Sequence, residues 1–338
     1  MVYGFWNNKG GTGKTSLTFQ VVTKFAQMNQ NNKVLVIDSC PQANLSELLL
    51  GGLLGNGSGN LQMLQNTFPI RKTIGGYFQS RFPNPFSPQQ LNVSDYICKP
   101  FSYNQFIPQN IDLLAGDQIV ELQSNAISTL ANSIIPGTDA WISIIDWLND
   151  FIKVTNYDYI FIDMNPSFSI YTQISLSIIN KLIVPVMADD SSRRALQNVF
   201  SLLYGIAMPL NSIYSNFVFS TRLINANRSL PKIHMVIKNR LTQYMGPASA
   251  YSSVLSSIDS DLQTVINTTP DIFDSININQ LVTEVRDFQT CGVVAFAEGK
   301  PFYEINVGRH NIFGNIVQIK SEYLQNCISS IDSIAHKI

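Results

Sequence analysis

The sequence predicts an α/β fold in which a mostly parallel, twisted sheet carries helices on both faces. Two observations support this prediction. The first forty residues alternate between strand and helix patterns, and short apolar runs typical of strands covered on both faces recur along the chain. The 338 residues are 45% hydrophobic and only 13% charged, which allows a large buried core. With no internal repeat and no long linker, we expect one domain over residues 1–338.

The amino-terminal elements follow the order strand, loop, helix, strand. Val2 to Trp6 is an apolar strand pattern, and a glycine-rich loop over residues 7–13 follows it. Apolar residues then recur at helical spacing from Lys14 to about Asn29, which predicts a helix. Val34 to Ile37 reads as a strand covered on both faces. This order predicts parallel strands joined by a crossover helix.

The segment from residue 51 to about 110 has a different composition. Residues 51–59 contain five glycines and are expected to be flexible. Prolines then recur at Pro83, Pro85, Pro88, Pro100 and Pro108. This composition predicts a loop-rich insertion or lid that carries one or two helices.

The remaining elements are predicted from short apolar runs and helical spacing. Helices are expected at residues 139–153 and, at the carboxyl terminus, at about 320–336. Strands are expected at residues 111–115, 159–162, 181–187, 217–221 and 234–237.

Composition and charge argue against a strongly basic nucleic-acid binder, a zinc or disulfide-stabilised protein, and a membrane-spanning protein. The net charge of −1 does not indicate a strongly basic nucleic-acid binder, so any DNA contact would need a local basic patch. The four cysteines form no C-x-x-C pair and only three histidines are present, which argues against a zinc site or a disulfide framework. With no signal peptide and no bilayer-length apolar run, we expect a cytoplasmic protein.

The strongest signal is the loop between the first strand and the first helix. Glycines let backbone N–H groups turn toward phosphate oxygens, and the following helix adds its positive end. Lys14 supplies a mobile cation, and the Thr15 hydroxyl is suited to bind Mg²⁺. The candidate nucleotide-binding residues are Lys9, Gly10, Gly11, Thr12, Gly13, Lys14, Thr15 and Ser16.

The loop departs from the ordinary P-loop pattern because Asn8 stands where the first glycine would be. The pattern Lys-Gly-Gly-x-Gly-Lys-Thr instead resembles the deviant Walker A signature of the ParA/MinD class of P-loop NTPases. The resemblance implies ATP and Mg²⁺ as cofactors, ATP hydrolysis, and a homodimer that forms through the nucleotide. It also implies that Lys9 reaches across this dimer to the second nucleotide.

A second motif, Ile37 to Ser46, resembles the ParA pattern D-x-D-P-Q-A-N-x-S and matches it at Pro41, Gln42, Ala43 and Asn44. A carboxylate at the end of a parallel strand lies beside the phosphate loop in open α/β sheets. Asp38 is therefore a candidate to assist Mg²⁺, for instance through water.

Cys40 replaces the second aspartate of this motif, the one that positions the attacking water in the family. A neutral thiol accepts a hydrogen bond from water much more weakly than a carboxylate. Three interpretations stay open: hydrolysis is slow, another acid substitutes, or the protein uses ATP binding more than turnover. The candidate substitute acids are Asp163, Asp189 and Asp190. A catalytic thiol at Cys40 is disfavoured because no histidine is near it in sequence.

A third motif, Tyr157 to Ser167, resembles the ParA Walker B segment Y-D-x-I-x-I-D-x-P-P-S, with Asn165 in place of the first proline. In this resemblance Asp163 orients Mg²⁺-bound water at the end of a buried strand. The catalytic candidates are thus Lys9, Lys14, Asp38 and Asp163, and the metal candidates are Thr15, Asp38 and Asp163.

A weaker match concerns the nucleotide base. The run Val236 to Arg240 resembles the family strand whose terminal asparagine touches adenine. Asn239 is either that contact or a surface turn residue.

The resemblance also bears on partners. ParA relatives bind DNA non-specifically through scattered basic residues, and the local basic positions here are Arg193, Arg194, Arg222, Arg228, Lys232, Lys238 and Arg240. A small adaptor or centromere-binding protein is the expected protein partner. The carboxyl-terminal Ile stripe carries little positive charge, so we expect it to pack on the core rather than on a membrane.

Two functions therefore remain open. The first is a DNA-partitioning or cargo-positioning ATPase, which would be associated with the nucleoid if DNA binding holds. The second is a nucleotide-gated binding switch with little turnover, such as a regulatory or defence adaptor.

Overall fold

A computed structural model of the chain describes residues 1–208, 217–241 and 250–338. Within these residues, eight strands form a sheet in the order β3-β4-β2-β5-β1-β6-β7-β8, and every neighbouring pair except β3–β4 is parallel. Strands β9 and β10 pair separately as an antiparallel hairpin. The strands are β1 (Val2–Phe5), β2 (Val34–Asp38), β3 (Ile97–Cys98), β4 (Ile111–Leu114), β5 (Tyr159–Asp163), β6 (Lys181–Val186), β7 (Lys232–Leu241), β8 (Val282–Arg286), β9 (Gly308–Ile312) and β10 (Asn315–Ile319).

The helices of the described residues cover both faces of this sheet. They are α1 (Lys14–Met28), α2 (Asn44–Leu49), α3 (Gly57–Gln65), α4 (Ile74–Arg81), α5 (Ile119–Ala131), α6 (Ala140–Ile145), α7 (Trp147–Lys153), α8 (Ile170–Leu176), α9 (Asp190–Tyr204), α10 (Phe219–Asn225), α11 (Ala250–Thr268), α12 (Ile278–Leu281), α13 (Gln289–Glu298) and α14 (Ser321–Ala335).

Two apolar clusters lie on opposite faces of the sheet. In β2, Leu35 and Ile37 join the cluster formed with α4 to α9, while Val34 and Val36 join the cluster formed with α1, α13 and α14. Successive strand residues point to opposite faces, so a strand covered on both sides must be apolar at every position. The predicted fold class is therefore confirmed, together with its physical reason.

One predicted element is wrong, and another is divided in two. Residues 217–221 were expected to form a strand, but Phe219 to Asn225 is helix α10. The apolar run there is short, and period alone does not separate a short strand from a buried helix. The predicted helix over residues 139–153 is two helices, α6 and α7, which meet at Asp146. The carboxylate of Asp146 pairs with Arg228 at this junction.

The insertion at residues 51–110 carries α3, α4 and β3. Its glycine-rich start is expected to be flexible, yet it packs closely against the carboxyl-terminal end of α13. The Leu54 amide donates to the Ala297 carbonyl at 2.8 Å. A Cβ on Gly52, whose φ is +62°, would lie 2.5 Å from the Gly299 nitrogen. These glycines therefore serve close backbone approach.

The carboxyl-terminal helix α14 agrees with the predicted helix at residues 320–336. Its apolar stripe is buried against α1 and β8, at Leu324, Cys327, Ile331 and Ile334. No helix in the described part of the chain is long and apolar enough to cross a membrane.

Candidate functional site

The glycine-rich loop joins β1 to α1 at the carboxyl edge of the parallel strands. Gly11 and Gly13 have φ of +75° and +83°, which residues with side chains rarely adopt. A Cβ placed on Gly10 or Gly11 would meet no atom within 4 Å. Gly13 precedes α1 and provides no side-chain cap, so the first amides of the helix stay available for an anion. Ser16, on the first turn, is exposed.

The two lysines of the loop point to different partners. The Lys14 side chain is 7% exposed, and its Nζ donates to the carbonyls of Lys9 at 2.8 Å and Asn7 at 3.4 Å. Burial lowers the pKa of Lys14, against the opposing effects of Asp163 and Cys40. These carbonyls hold the ammonium under the loop, where it can meet a phosphate.

Lys9 contacts a carboxylate 180 residues away. Its Nζ donates to both oxygens of Asp189, at 2.7 and 2.6 Å, and to the Ser192 hydroxyl at 3.1 Å. Asp189 also caps α9 by accepting from the Ser192 amide at 2.7 Å. Burial raises the pKa of Asp189, but hydrogen bonds from Lys9, Ser191 and Ser192 bring it down to about 2. Lys9 is thus paired with a carboxylate of the same chain.

Two of the predicted carboxylates lie side by side. Asp38 and Asp163 are register partners at the ends of β2 and β5, and they are 0% and 1% exposed. Asp163 accepts from the Thr15 hydroxyl at 2.7 Å and from the Thr18 hydroxyl at 3.3 Å. Burial, followed by the charge of Asp38, raises the pKa of Asp163 to about 7. The structure therefore brings Lys14, Thr15, Asp38 and Asp163 together.

Asp38 is held by three donors. Its Oδ2 accepts from the Ser46 amide at 2.9 Å and the Ser46 hydroxyl at 2.8 Å, and its Oδ1 accepts from the Cys40 amide at 3.2 Å. Burial raises the pKa of Asp38 to about 6, although these hydrogen bonds act in the opposite direction. Ser46 belongs to the second motif, but the sequence analysis assigned it no role.

Cys40 carries a neutral thiol. It is half-buried, and burial together with the charges of Asp38 and Asp163 raises the pKa of its thiol to about 12. A thiolate nucleophile at Cys40 is therefore unfavourable. Of the candidate substitute acids, Asp189 is engaged by Lys9, and Asp190 pairs with Arg194 at 2.9 Å on the exposed start of α9.

Asn239 lies against the phosphate loop at the end of β7. It is 2% exposed, so the surface-turn alternative is wrong. Its Nδ2 donates to the Thr12 carbonyl at 2.9 Å. Two buried atoms beside this contact, Asn239 Oδ1 and Thr12 Oγ1, have no hydrogen-bond partner within the described chain. Unpartnered buried polar atoms at a loop with open glycines indicate a polar ligand.

Asn7 was missed by the sequence reasoning and supports the loop from inside. It is fully buried, its Nδ2 donates to the Pro185 carbonyl at 2.6 Å, and its Oδ1 accepts from the Lys9 amide at 3.0 Å. Its position between strand and glycines was the only signal in the sequence.

Comparison with known proteins shows which family this chain is similar to. A family model described as an AAA domain matches residues 2–213. The cell division protein PomZ of Myxococcus xanthus is 26% identical over 68% of this chain and 59% of its own length. The virulence plasmid ParA family protein pGP5-D of Chlamydia muridarum is 25% identical over 69% of this chain and 83% of its own.

Solved structures show the same fold. An ATP complex of McdA from Cyanothece aligns with a TM-score of 0.62 at 13% identity, over 99% of this chain and 95% of McdA. Among the curated relatives, by contrast, this chain spans only 59 to 65% of the length of the first proteins that it matches.

Proposed function

Because the chain belongs to the ParA/MinD-type P-loop ATPases, which carry this AAA domain, we propose that it binds ATP with Mg²⁺ and acts as a nucleotide-dependent homodimer. We further propose that residues 1–338 act as one domain with the insertion at 51–110. The observation that carries the proposal is the loop geometry: open glycines, an uncapped α1, and Lys14 held beneath.

The residues present fit such a cofactor. Amides of the loop and of α1 bind phosphate oxygens, and Lys14 neutralises their charge. Thr15, Asp163 and Asp38 offer the hard oxygen ligands that Mg²⁺ prefers. Mg²⁺ supplies charge stabilisation at the transferring phosphate.

Homodimerisation requires Lys9 to change partner. Lys9 is bound to Asp189 of its own subunit, and the pair is partly exposed, with side-chain exposures of 24% and 37%. A partly exposed ion pair is weak enough to be exchanged for a phosphate charge. We propose that Lys9 leaves Asp189 when a second subunit brings its nucleotide within reach.

DNA and a small adaptor are the proposed partners of the dimer, in the cytoplasm and on the nucleoid. Several of the basic candidates already have contacts in the described structure. Arg193 pairs with Asp261, and Lys238 is 4% exposed and pairs with Asp259. Lys232 and Arg240 are exposed and are the best placed to meet phosphates.

A second function is favoured by one observation, the neutral half-buried thiol of Cys40. Without a carboxylate there, the attacking water has no strong acceptor at that position. In this alternative the protein is a nucleotide-gated binding switch that hydrolyses ATP slowly or not at all.

ATP turnover and ATP-dependent dimerisation of the purified protein test both functions. Each is measured with and without DNA of random sequence, beside Lys9→Ala and Lys14→Ala. We expect Lys14→Ala to lose ATP binding, and Lys9→Ala to bind ATP but remain monomeric.

The outcomes separate the two functions. DNA-stimulated turnover that both variants lose supports a partition-type cycle. Long-lived ATP-dependent dimers without turnover support the binding switch. If the wild-type protein does not bind ATP, both functions are wrong.

A further inference from the structure

A chain of hydrogen bonds connects Asp38 to the insertion. It starts at Ser46, whose hydroxyl accepts from the Gly116 amide at 2.8 Å. A serine hydroxyl has one proton, and the geometry with Gly116 leaves that proton for Asp38, 2.8 Å away. The position of Gly116 therefore fixes which way Ser46 donates.

The structure leaves no room for a side chain at Gly116. A Cβ at this position would lie 2.7 Å from the Ala43 Cβ and 3.0 Å from the Asp38 Cγ. The backbone after β4 is thus packed directly against the carboxyl group that we assign to Mg²⁺.

The next residue, Asp117, is fully buried and anchors this backbone. Arg71 donates to it twice, from Nε at 2.9 Å and from Nη2 at 2.8 Å. The Thr73 hydroxyl donates to it at 2.6 Å and accepts from the Gly76 amide at 3.1 Å, at the start of α4. Both of these side chains belong to the insertion, and the Ile119 amide at the start of α5 also donates to Asp117, at 3.2 Å.

We propose that Asp117 is a positioning residue that acts on Asp38 through Ser46. Arg71 and Thr73 fix Asp117, and the adjoining Gly116 amide then fixes the Ser46 hydroxyl. The insertion thereby sets the orientation of a carboxylate that serves the Mg²⁺ site. This inference rests on the proposed binding of ATP with Mg²⁺.

The insertion offers a matched control. Arg81 is buried in α4 and pairs with Asp150 at 2.8 Å, which ties the same insertion to α7. This pair does not contact Gly116 or Ser46. Asp150→Asn therefore weakens the anchoring of the insertion and leaves the chain to Asp38 intact.

The first measurement is the Mg²⁺ concentration at which ATP gives half of its maximal increase in melting temperature. We expect Asp117→Asn and the milder Thr73→Val to raise this concentration about tenfold, as changes beside metal ligands do. Ser46→Ala should also raise this Mg²⁺ concentration, whereas Ser46→Thr, which keeps the hydroxyl, should retain the wild-type value. Asp150→Asn should lower the melting temperature without changing the Mg²⁺ dependence. Equal Mg²⁺ dependence in Asp117→Asn and Asp150→Asn would overturn the proposal.

The second measurement needs no nucleotide and separates this inference from the proposed function. Amide hydrogen exchange at Ser46 and Gly116 should be faster in Thr73→Val than in wild type, and unchanged in Asp150→Asn. Unchanged exchange in Thr73→Val contradicts the positioning role. A wild-type protein whose melting temperature does not respond to ATP and Mg²⁺ contradicts the proposed function.

Discussion

At the scale of residues, burial sets the charge of the carboxyl groups beside the phosphate loop. Asp163 has an ordinary pKa near 3.8, and in the folded chain burial raises it to about 7. The folded state therefore holds this proton more tightly than the unfolded state. Its stabilising effect is fully present below about pH 4 and is lost as the pH rises through about 7.

The difference between the pKa of Asp163 in the folded and unfolded states predicts the effect of Asp163→Asn on the nucleotide-free protein. An amide cannot ionise, so the variant avoids the cost of a buried carboxylate at high pH. We expect a higher melting temperature than wild type at pH 8 and a flatter pH dependence between pH 4 and 8. Thermal unfolding between pH 4 and 8 measures these melting temperatures. If the melting temperatures of the two proteins depended on pH in the same way, the expectation would be wrong.

The Lys9–Asp189 pair gives a second prediction at this scale. Asp189→Asn removes the charge that keeps Lys9 in its own subunit. Because the pair is partly exposed, we expect only a two- to fivefold fall, roughly, in the ATP concentration needed for dimerisation. Light scattering during gel filtration measures the dimer. Asp190→Asn, which removes the neighbouring exposed pair with Arg194, is the control and should show no change.

At the scale of elements, the carboxyl-terminal helix shows how an amphipathic pattern is used. The stripe of α14 is buried against α1 and β8, so its apolar face already has a partner within the chain. A surface-binding helix would need that face free. The packing thus agrees with the expectation from its low positive charge.

Two isoleucines of α14 test this packing. Ile334 is fully buried, whereas Ile328 only borders the apolar cluster. We expect Ile334→Ala to lower the free energy of unfolding by about 2–4 kcal/mol, since it leaves a cavity. Ile328→Ala should cost roughly half as much or less. Urea unfolding measures both, and equal costs would contradict the assigned packing.

At the scale of the whole molecule, the net charge of −1 leaves DNA binding to a few exposed cations. If the ATP-bound dimer binds DNA, its affinity must fall with salt in proportion to the phosphates it contacts. Replacing both Lys232 and Arg240 by alanine should flatten the slope of log affinity against log salt by about 2 for each subunit. Lys238→Met is the control, because buried Lys238 does not reach a phosphate. Unchanged slopes in the double variant would exclude these two residues as contacts.

The sequence by itself determined the fold class and the phosphate loop, because both depend on local patterns. Continuous apolar runs require strands covered on both faces, and consecutive glycines before a helix make the loop. The sequence also predicted that Asp38 and Asp163 lie together, since parallel strands end at the same edge of a sheet.

Only the tertiary structure decided the contacts that set the chemistry of these residues. Lys9 meets Asp189 and Asn239 meets Thr12 across separations of 180 and 227 residues. The cluster at Asp117 likewise joins residues 46 positions apart. Such pairs have no sequence period, because they arise where packing brings distant elements together. The strand predicted at residues 217–221 was wrong, because the pattern of a short apolar run does not distinguish a strand from a buried helix.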